Sequence, residues 1–335
     1  MNPNQKLYER EVRHQVGLRR YSAATLRKAD ALLARLGADL ERRIRNLVLT
    51  GEPNAAGLEA LNRLLLEWTN KRIEVIDALE AVLSGDMEAL AIYERDFNTA
   101  SLRSVTAGVG FNVATDAAVV AAVNSRPFQG RFLREWMQGL DASIAAQVRD
   151  QLRIGYIEGE GINALVRRIR GTRARKYEDG ILAVSRRAAQ RVVRTAMTHT
   201  ANAASQETYK AASETIKAVR YVAILDGRTS LICAGLDGEE FPIDKGPRPP
   251  QHPNCRSTTA AVIKGAPSFS RETYQAWLER QPTDVQNEIL GPSRAKLFRE
   301  GVAVERFTDR NGQVWDLDEL KQRESGVWMR AGLDE

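Results

Sequence analysis

The chain has 335 residues, 43% of them hydrophobic and 27% charged, enough for two or three domains with proper cores. Two cysteines exclude a disulfide scaffold and suit a reducing compartment. The formal net charge is +6, and the polar opening MNPNQKLYEREVRHQ lacks the apolar core of a secretory leader, so secretion by a signal peptide is not expected.

Residues 22–48 carry Leu26, Ala29, Leu33, Leu36, Leu40, Ile44 and Leu47 at helical spacing, which predicts a helix with Ser22 as its N-cap. Gly51-Glu52-Pro53-Asn54 breaks the pattern, and a second helix is expected over 57–83. Ser84-Gly85-Asp86 reads as its stop and as the cap of a third helix carrying Leu90, Tyr93 and Phe97. Three such helices predict an antiparallel bundle within an N-terminal region, 1–124. An exposed coiled-coil arm is the other reading of the same stripes. Residues 105–123 are mostly small or apolar, but Asn112, Thr115 and Asp116 favour a buried segment over a membrane span.

Asn124-Ser125-Arg126-Pro127 marks a boundary, and a helix over 130–154 presents Leu133, Trp136, Leu140, Ile144, Val148 and Leu152. Gly155, Gly159 and Gly161 interrupt it, a short helix follows through Ile162 to Ile169, and a long one is expected over 180–213. Between 161 and 200, ten Lys or Arg face only Glu178 and Asp179, so this stretch carries +8 and the rest of the chain −2. Such an excess creates a field that favours a polyanion. Arg167, Arg168, Arg170, Arg173, Arg175, Lys176, Arg186, Arg187 and Arg191 are therefore candidate contacts to duplex DNA, with Arg194 completing the ten. A solvated face whose charges meet acids from elsewhere is the plainer alternative.

Residues 219–263 gather both cysteines and His252 in a small, turn-rich β unit. A strand over 221–225 is expected to end at Asp226-Gly227, and residues 229–233 to return as a second strand. A proline-rich loop then delivers His252, Cys255 and Arg256 to a last strand over 258–263. Cys233, His252 and Cys255 could hold zinc, with Asp226 or His199 as a fourth ligand, although only His252 and Cys255 have the close spacing typical of a ligand pair. Two reduced thiols packed in a small core are the reading placed first, and no cofactor is expected. A Cys233–Cys255 disulfide is disfavoured by the reducing compartment that two cysteines suit. Cysteine, histidine and aspartate also suggest a nucleophile, base and orienter, which would make the loop that of a toxin-like transferase or hydrolase. Arg228 and Arg256 are available to pair Asp226 or Asp237, with Thr229 in the same turn. Arg194, Thr195 and Asn202, with His199 nearby, share a face of the long helix and are expected to hydrogen-bond the β unit.

The pattern Asp226-Gly227-Arg228-Thr229, Cys233, Leu236-Asp237-Gly238, then Pro249-Pro250-x-His252-Pro253-x-Cys255-Arg256, resembles the Mu F-like minor head proteins of tailed bacteriophages. So do Phe128-x-Gly130 before a Trp136 helix, the Gly155-x3-Gly159 turn, and Arg194-Thr195 with Asn202. After 266, Trp277-Leu278, Gln281-Pro282 and Leu290-Gly291 extend the likeness to about 322, in a small C-terminal module of short helices and an Asn311-Gly312 hairpin turn. One departure is Ser257, where the family commonly has a further cysteine. The resemblance implies a mainly α, α+β chain: helical 1–124, a helical and small-β core over 125–265, and a module over 266–335. It implies a non-enzymatic role at the portal in head morphogenesis and DNA packaging. The partners it implies are portal, capsid or scaffolding protein, and no membrane; the location is the virion head, with host cytoplasm during assembly. A basic DNA-binding protein, packaged and ejected with the genome, is a further alternative.

Overall fold

The computed structural model describes residues 2–49, 52–106, 108, 110–309 and 313–333. Helices α1 (Pro3–Arg45), α2 (Ala55–Arg103), α3 (Asp116–Asn124), α4 (Leu133–Ile157), α5 (Ile162–Arg170) and α6 (Ile181–Ala211) come first. The strands are β1 (Ile216–Val222), β2 (Glu240–Phe241) and β3 (Thr258–Ile263), with α7 (Leu231–Leu236) between β1 and β2. Five short helices follow: α8 (Tyr274–Glu279), α9 (Thr283–Leu290), α10 (Pro292–Arg299), α11 (Leu317–Arg323) and α12 (Ser325–Arg330). The chain is thus mainly α with one small antiparallel sheet, the fold class expected. No helix of the described residues is long and apolar enough to cross a membrane. Within 105–123 only the stretch from Asp116 onward is helical among the described residues, Ala107 and Val109 lying outside them.

Two compact units divide the chain, one of Leu18–Leu90 and Asn124–Met197, the other of Met1–Gly17, Ala91–Val123 and Thr198–Glu335. The boundaries at 124 and 265 cut contiguous stretches, whereas each unit is assembled from separated ones, because α1, α2 and α6 contribute residues to both.

In the first unit the apolar stripes lie where the periodicity puts them, with Leu33, Leu36, Leu40 and Ile44 of α1 and Leu61, Trp68, Leu79 and Leu83 of α2 all buried. The two helices run antiparallel here, Thr25 facing Asp86 and Arg43 facing Glu67. Two expectations are corrected. Ser22 is no cap but an interior residue of α1, and Ser84-Gly85-Asp86 is no stop, since α2 continues through it. The Asp86 carboxylate accepts from Thr25 Oγ1 at 2.7 Å and Lys28 Nζ at 2.7 Å, so the polar triplet is held by the neighbouring helix. Buried Leu83 and Met87 carry the apolar stripe across it. The N-terminal bundle therefore has two long helices where three were expected. Gly51 of the predicted break lies outside the described residues. Downstream, Phe128 and Gly130 form a tight turn before α4, closed by Trp136 Nε1 donating to the Phe128 carbonyl at 3.1 Å. Gly159, at φ 76°, turns α4 into α5, and a Cβ on Gly155 would strike Leu165 and Arg168 where those helices meet.

In the second unit, α1 begins far earlier than residue 22 because its inward stripe there is mostly polar: Asn4, Leu7, Glu11 and His14 are all buried. His14 Nε2 meets Glu94 Oε1 of α2 at 2.7 Å and its ring stacks on Phe97 at 3.5 Å. Glu11 accepts from Thr258 Oγ1 of β3 at 2.7 Å, and Asn4 Oδ1 accepts from the Ile263 amide at 2.8 Å. Burial lifts the Glu94 carboxyl to about 7 against its attraction to His14, and burial likewise raises Glu11. For His14, burial opposes the charged ring, but the hydrogen bond to Glu94 and the nearby carboxylates outweigh it and raise its pKa.

The sheet order is β2-β1-β3, both pairings antiparallel. The strand expected over 221–225 instead runs Ile216–Val222, because Ile224 and Leu225 belong to the turn closed by Thr229. Lys217 and Arg220 hide the strand's start in sequence: Lys217 sits at a register shift and is exposed, and Arg220 is neutralised by Glu240 at 2.6 Å. The return strand expected over 229–233 is helix α7, capped by Ser230. The strand expected over 258–263 is found with those bounds. In the C-terminal module α8 and α9 match expectation, whereas α10, α11 and α12 were not foreseen. Leu278, Leu290, Leu297, Phe298, Phe307 and Trp328 form their core, joined by Ala234 of α7. Thr308 bridges Val314, and the turn residues Asn311 and Gly312 lie outside the described residues.

Glu94 binds its proton more tightly folded than unfolded, so its stabilising contribution is complete below about pH 4.5 and is lost as pH rises through about 7. Denaturant melts of the parent and of Glu94→Gln at pH 4.5, 6 and 8 should show the parent losing stability relative to the variant across that window. A pH-independent difference would mean that Glu94 does not titrate there.

Candidate functional site

The site lies in the β unit, where short elements bring distant polar residues together. Tyr221, fully buried near the end of β1, places its hydroxyl 3.3 Å from Cys233 Sγ. The chain then turns at Asp226, whose carboxylate accepts from the Arg228 amide at 3.0 Å. Thr229 Oγ1 donates to the Ile224 carbonyl at 2.5 Å, and Ser230 caps α7 by accepting from the Cys233 amide. That single helical turn points Cys233 and Ala234 inward. Gly235 lets α7 approach the 3₁₀ turn Val304–Phe307 closely, for a Cβ there would lie 2.8 Å from Glu305 Cα.

The 242–257 loop is pinned by Arg248, which donates to the carbonyls of Pro247, Pro242 and Ile243. It delivers His252 and Cys255, and the Cys255 carbonyl accepts from Thr198 Oγ1 of α6 at 2.8 Å. Cys233, His252 and Cys255 thereby offer ligand atoms all within 4.8 Å of one another, as expected of them. The sulfurs are 3.6 Å apart, and His252 Nε2 is 3.4 Å from Cys233 Sγ. Both cysteines are reduced, with 1% and 2% of their surface exposed.

The fourth ligands considered from sequence do not join them. Asp226 is held by Arg256 in a two-pronged pair with both oxygens at 2.6 Å, which keeps its carboxyl below the ordinary range. His199 Nε2 lies 3.2 Å from the Val123 carbonyl. Arg228 meets Asp226 through its backbone amide, so the ion pair is made by Arg256. Asp237 pairs with neither arginine: its carboxylate takes the Ala223 amide at 2.8 Å, the Tyr274 amide at 2.9 Å and the Arg271 guanidinium at 2.8 Å. Within α6, Asn202 donates to the Thr198 carbonyl and Thr195 to the Arg191 carbonyl, and Thr198 donates to the Cys255 carbonyl of the β unit. Thr198 escaped the sequence reading because nothing in its local pattern marks a contact to Cys255 made across 57 residues.

The two thiols differ. Cys233 donates to Cys255, and this bond together with burial pushes the Cys233 thiol up to about 12. Cys255 receives that bond and amide donors from Ser257 and Gln251, which bring it down to about 6 despite burial. The His252 ring is raised by its contact with Cys233. Nδ1 lies 2.9 Å from the Pro253 carbonyl, so a carbonyl and not a carboxylate orients this histidine. Both sulfurs are buried, Cys233 is held toward its thiol form, and Cys255 is the more acidic of the two.

Of the basic candidates, Arg168 on α5 is clamped by Glu158 and Glu160, Arg170 lies near Glu41 and over the Tyr177 ring, and Arg187 on α6 meets Glu178. Arg186 is half-buried. Arg167, Arg173, Arg175, Lys176 and Arg191 are exposed and form no ion pair among the described residues.

Removing the Asp237 side chain strands two buried amides and a buried guanidinium. Asp237→Ala should destabilise by about 3–5 kcal/mol, whereas Asp226→Ala, at a half-exposed pair, should cost about 1 kcal/mol. Thermal melts of both variants check the order, and equal losses would contradict it.

No curated protein and no solved structure gives a match. Residues 146–260 match the family model described as Phage Mu protein F like protein, from the middle of α4 into β3, with 125–145 and 261–322 of the wider resemblance outside the match. The match spans about a third of the chain, and that region is similar to Phage Mu protein F.

Proposed function

We propose that the chain is a minor head protein that acts at the portal during head assembly and DNA packaging, through binding and not turnover. The family match over 146–260 carries this reading. The chemistry of the β unit supports it: the thiols are sealed, Asp226 is consumed by Arg256, and Asp237 serves as a three-way tie. These are the marks of a rigid recognition surface rather than of a reaction centre. Duplex DNA is the second proposed partner, approached through the exposed cations Arg167, Arg173, Arg175, Lys176 and Arg191, while Arg168, Arg170 and Arg187 are spent on internal acids.

Co-expression with the cognate portal protein, followed by pull-down and native mass measurement, should give a complex of fixed stoichiometry. Two folded proteins that stay separate at micromolar concentration would overturn the portal role.

DNA affinity should fall steeply with salt and show no sequence preference. In Arg173→Glu/Arg175→Glu/Arg191→Glu the slope of log affinity against log salt should flatten by about 3, at roughly 0.9 per lost phosphate contact. A slope equal to the parent's would reduce the patch to a solvated face.

A further inference from the structure

We infer that Cys233, His252 and Cys255 form a binding site for one thiophilic divalent cation of the zinc class, which ties α7 to the 242–257 loop. The first observation is distance. A tetrahedral centre with Zn–S near 2.3 Å and Zn–N near 2.0–2.1 Å has ligand-to-ligand edges of about 3.5–3.8 Å. The sulfur–sulfur separation is 3.6 Å and the Cys233 sulfur–nitrogen separation 3.4 Å, so two edges of such a tetrahedron stand nearly in place, and the third, from Cys255 to His252, lies within 4.8 Å.

The second observation is the histidine's tautomer. Nδ1 is 2.9 Å from the Pro253 carbonyl, and a carbonyl oxygen can only accept. The proton therefore sits on Nδ1, and the Nε2 lone pair faces the sulfurs. A carbonyl behind a ligating imidazole is the usual outer-shell arrangement that fixes ring orientation at a metal.

The third observation is the surround of the sulfurs. Amide and hydroxyl donors converge on them: the Tyr221 and Ser230 hydroxyls at Cys233, and the amides of Gln251 and Ser257 with the Ser257 hydroxyl at Cys255. An apolar pocket for two packed thiols has no use for so many donors, whereas thiolate ligands do. His252 is half-buried and flanked by exposed Pro253 and Asn254, so the ligand set reaches the surface on one side and a cation can enter. Among the described residues no further cysteine, histidine or carboxylate joins the group, which leaves the fourth position to solvent. Two soft sulfurs and an imidazole select zinc-class ions over magnesium or calcium. On binding, the cation displaces the thiol protons to solvent and coordinates both thiolates; no electron is transferred.

The test uses the full chain, purified under reducing conditions without a chelating column. Titration with cobalt(II) should produce a sulfur-to-metal charge-transfer band and tetrahedral visible bands that saturate at one ion per chain and vanish on adding zinc. Zinc should raise the melting temperature and shield both thiols from a thiol-reactive dye. His252→Ala, at a half-buried loop position, should weaken cobalt binding at least tenfold, and Cys233→Ser should abolish it. If a variant fails to fold, the parent's cobalt spectrum and stoichiometry decide alone. The inference is overturned by a parent that gives no cobalt–thiolate band while its thiols remain reactive, by binding that survives His252→Ala unchanged, or by a Cys233–Cys255 disulfide formed under the same reducing conditions.

Discussion

The buried carboxylate of Asp237 is the interaction on which the β unit depends. Two backbone amides donate to it, the one just past β1 and the first of α8, and the Arg271 guanidinium forms an ion pair with it. A three-stranded sheet with one two-residue strand can bury little apolar surface of its own. Polar ties from elements far apart in sequence hold it instead. Glu11 and Asn4 of α1 grip β3, Thr198 of α6 holds the Cys255 carbonyl, and Arg256 closes the Asp226 turn. Each tie satisfies a buried group that would otherwise cost free energy, so the unit's stability is shared among them.

That arrangement explains what the sequence disclosed and what it concealed. Helices whose buried face is written in leucine were legible, as in α4, α5 and most of α1 and α2. The first four turns of α1 were not, because their buried face is Asn4, Glu11 and His14, residues that read as solvated until their partners are known. The strand β1 was half hidden for the same reason, Arg220 being a core residue only because Glu240 lies beside it. In α7, Leu231-Ile232-Cys233 has the composition of a strand, and the Ser230 cap with the close approach allowed by Gly235 decides for a helix. Ser84-Gly85-Asp86 misled in the opposite direction, as a stop signal overridden by contacts to Thr25 and Lys28.

The site divides similarly. Cys233, His252 and Cys255 were singled out on residue type, and they do converge; which arginine meets Asp226 and which meets Asp237 was open in the sequence, since geometry alone shows it. The basic stretch shows how charge counting overstates a surface. Three of its nine candidate contacts are engaged by internal carboxylates, leaving a smaller exposed set on α5, α6 and the turn between them.

The region similar to Phage Mu protein F is stabilised by buried polar ties, and the role proposed for it is binding at the head. Its most direct test is the composition of heads purified from cells assembling the phage that encodes this chain. The account predicts that the protein copurifies with heads at a fixed copy number and leaves with the portal when portals are dissociated from the shell. Heads that carry portal but none of this chain would contradict it.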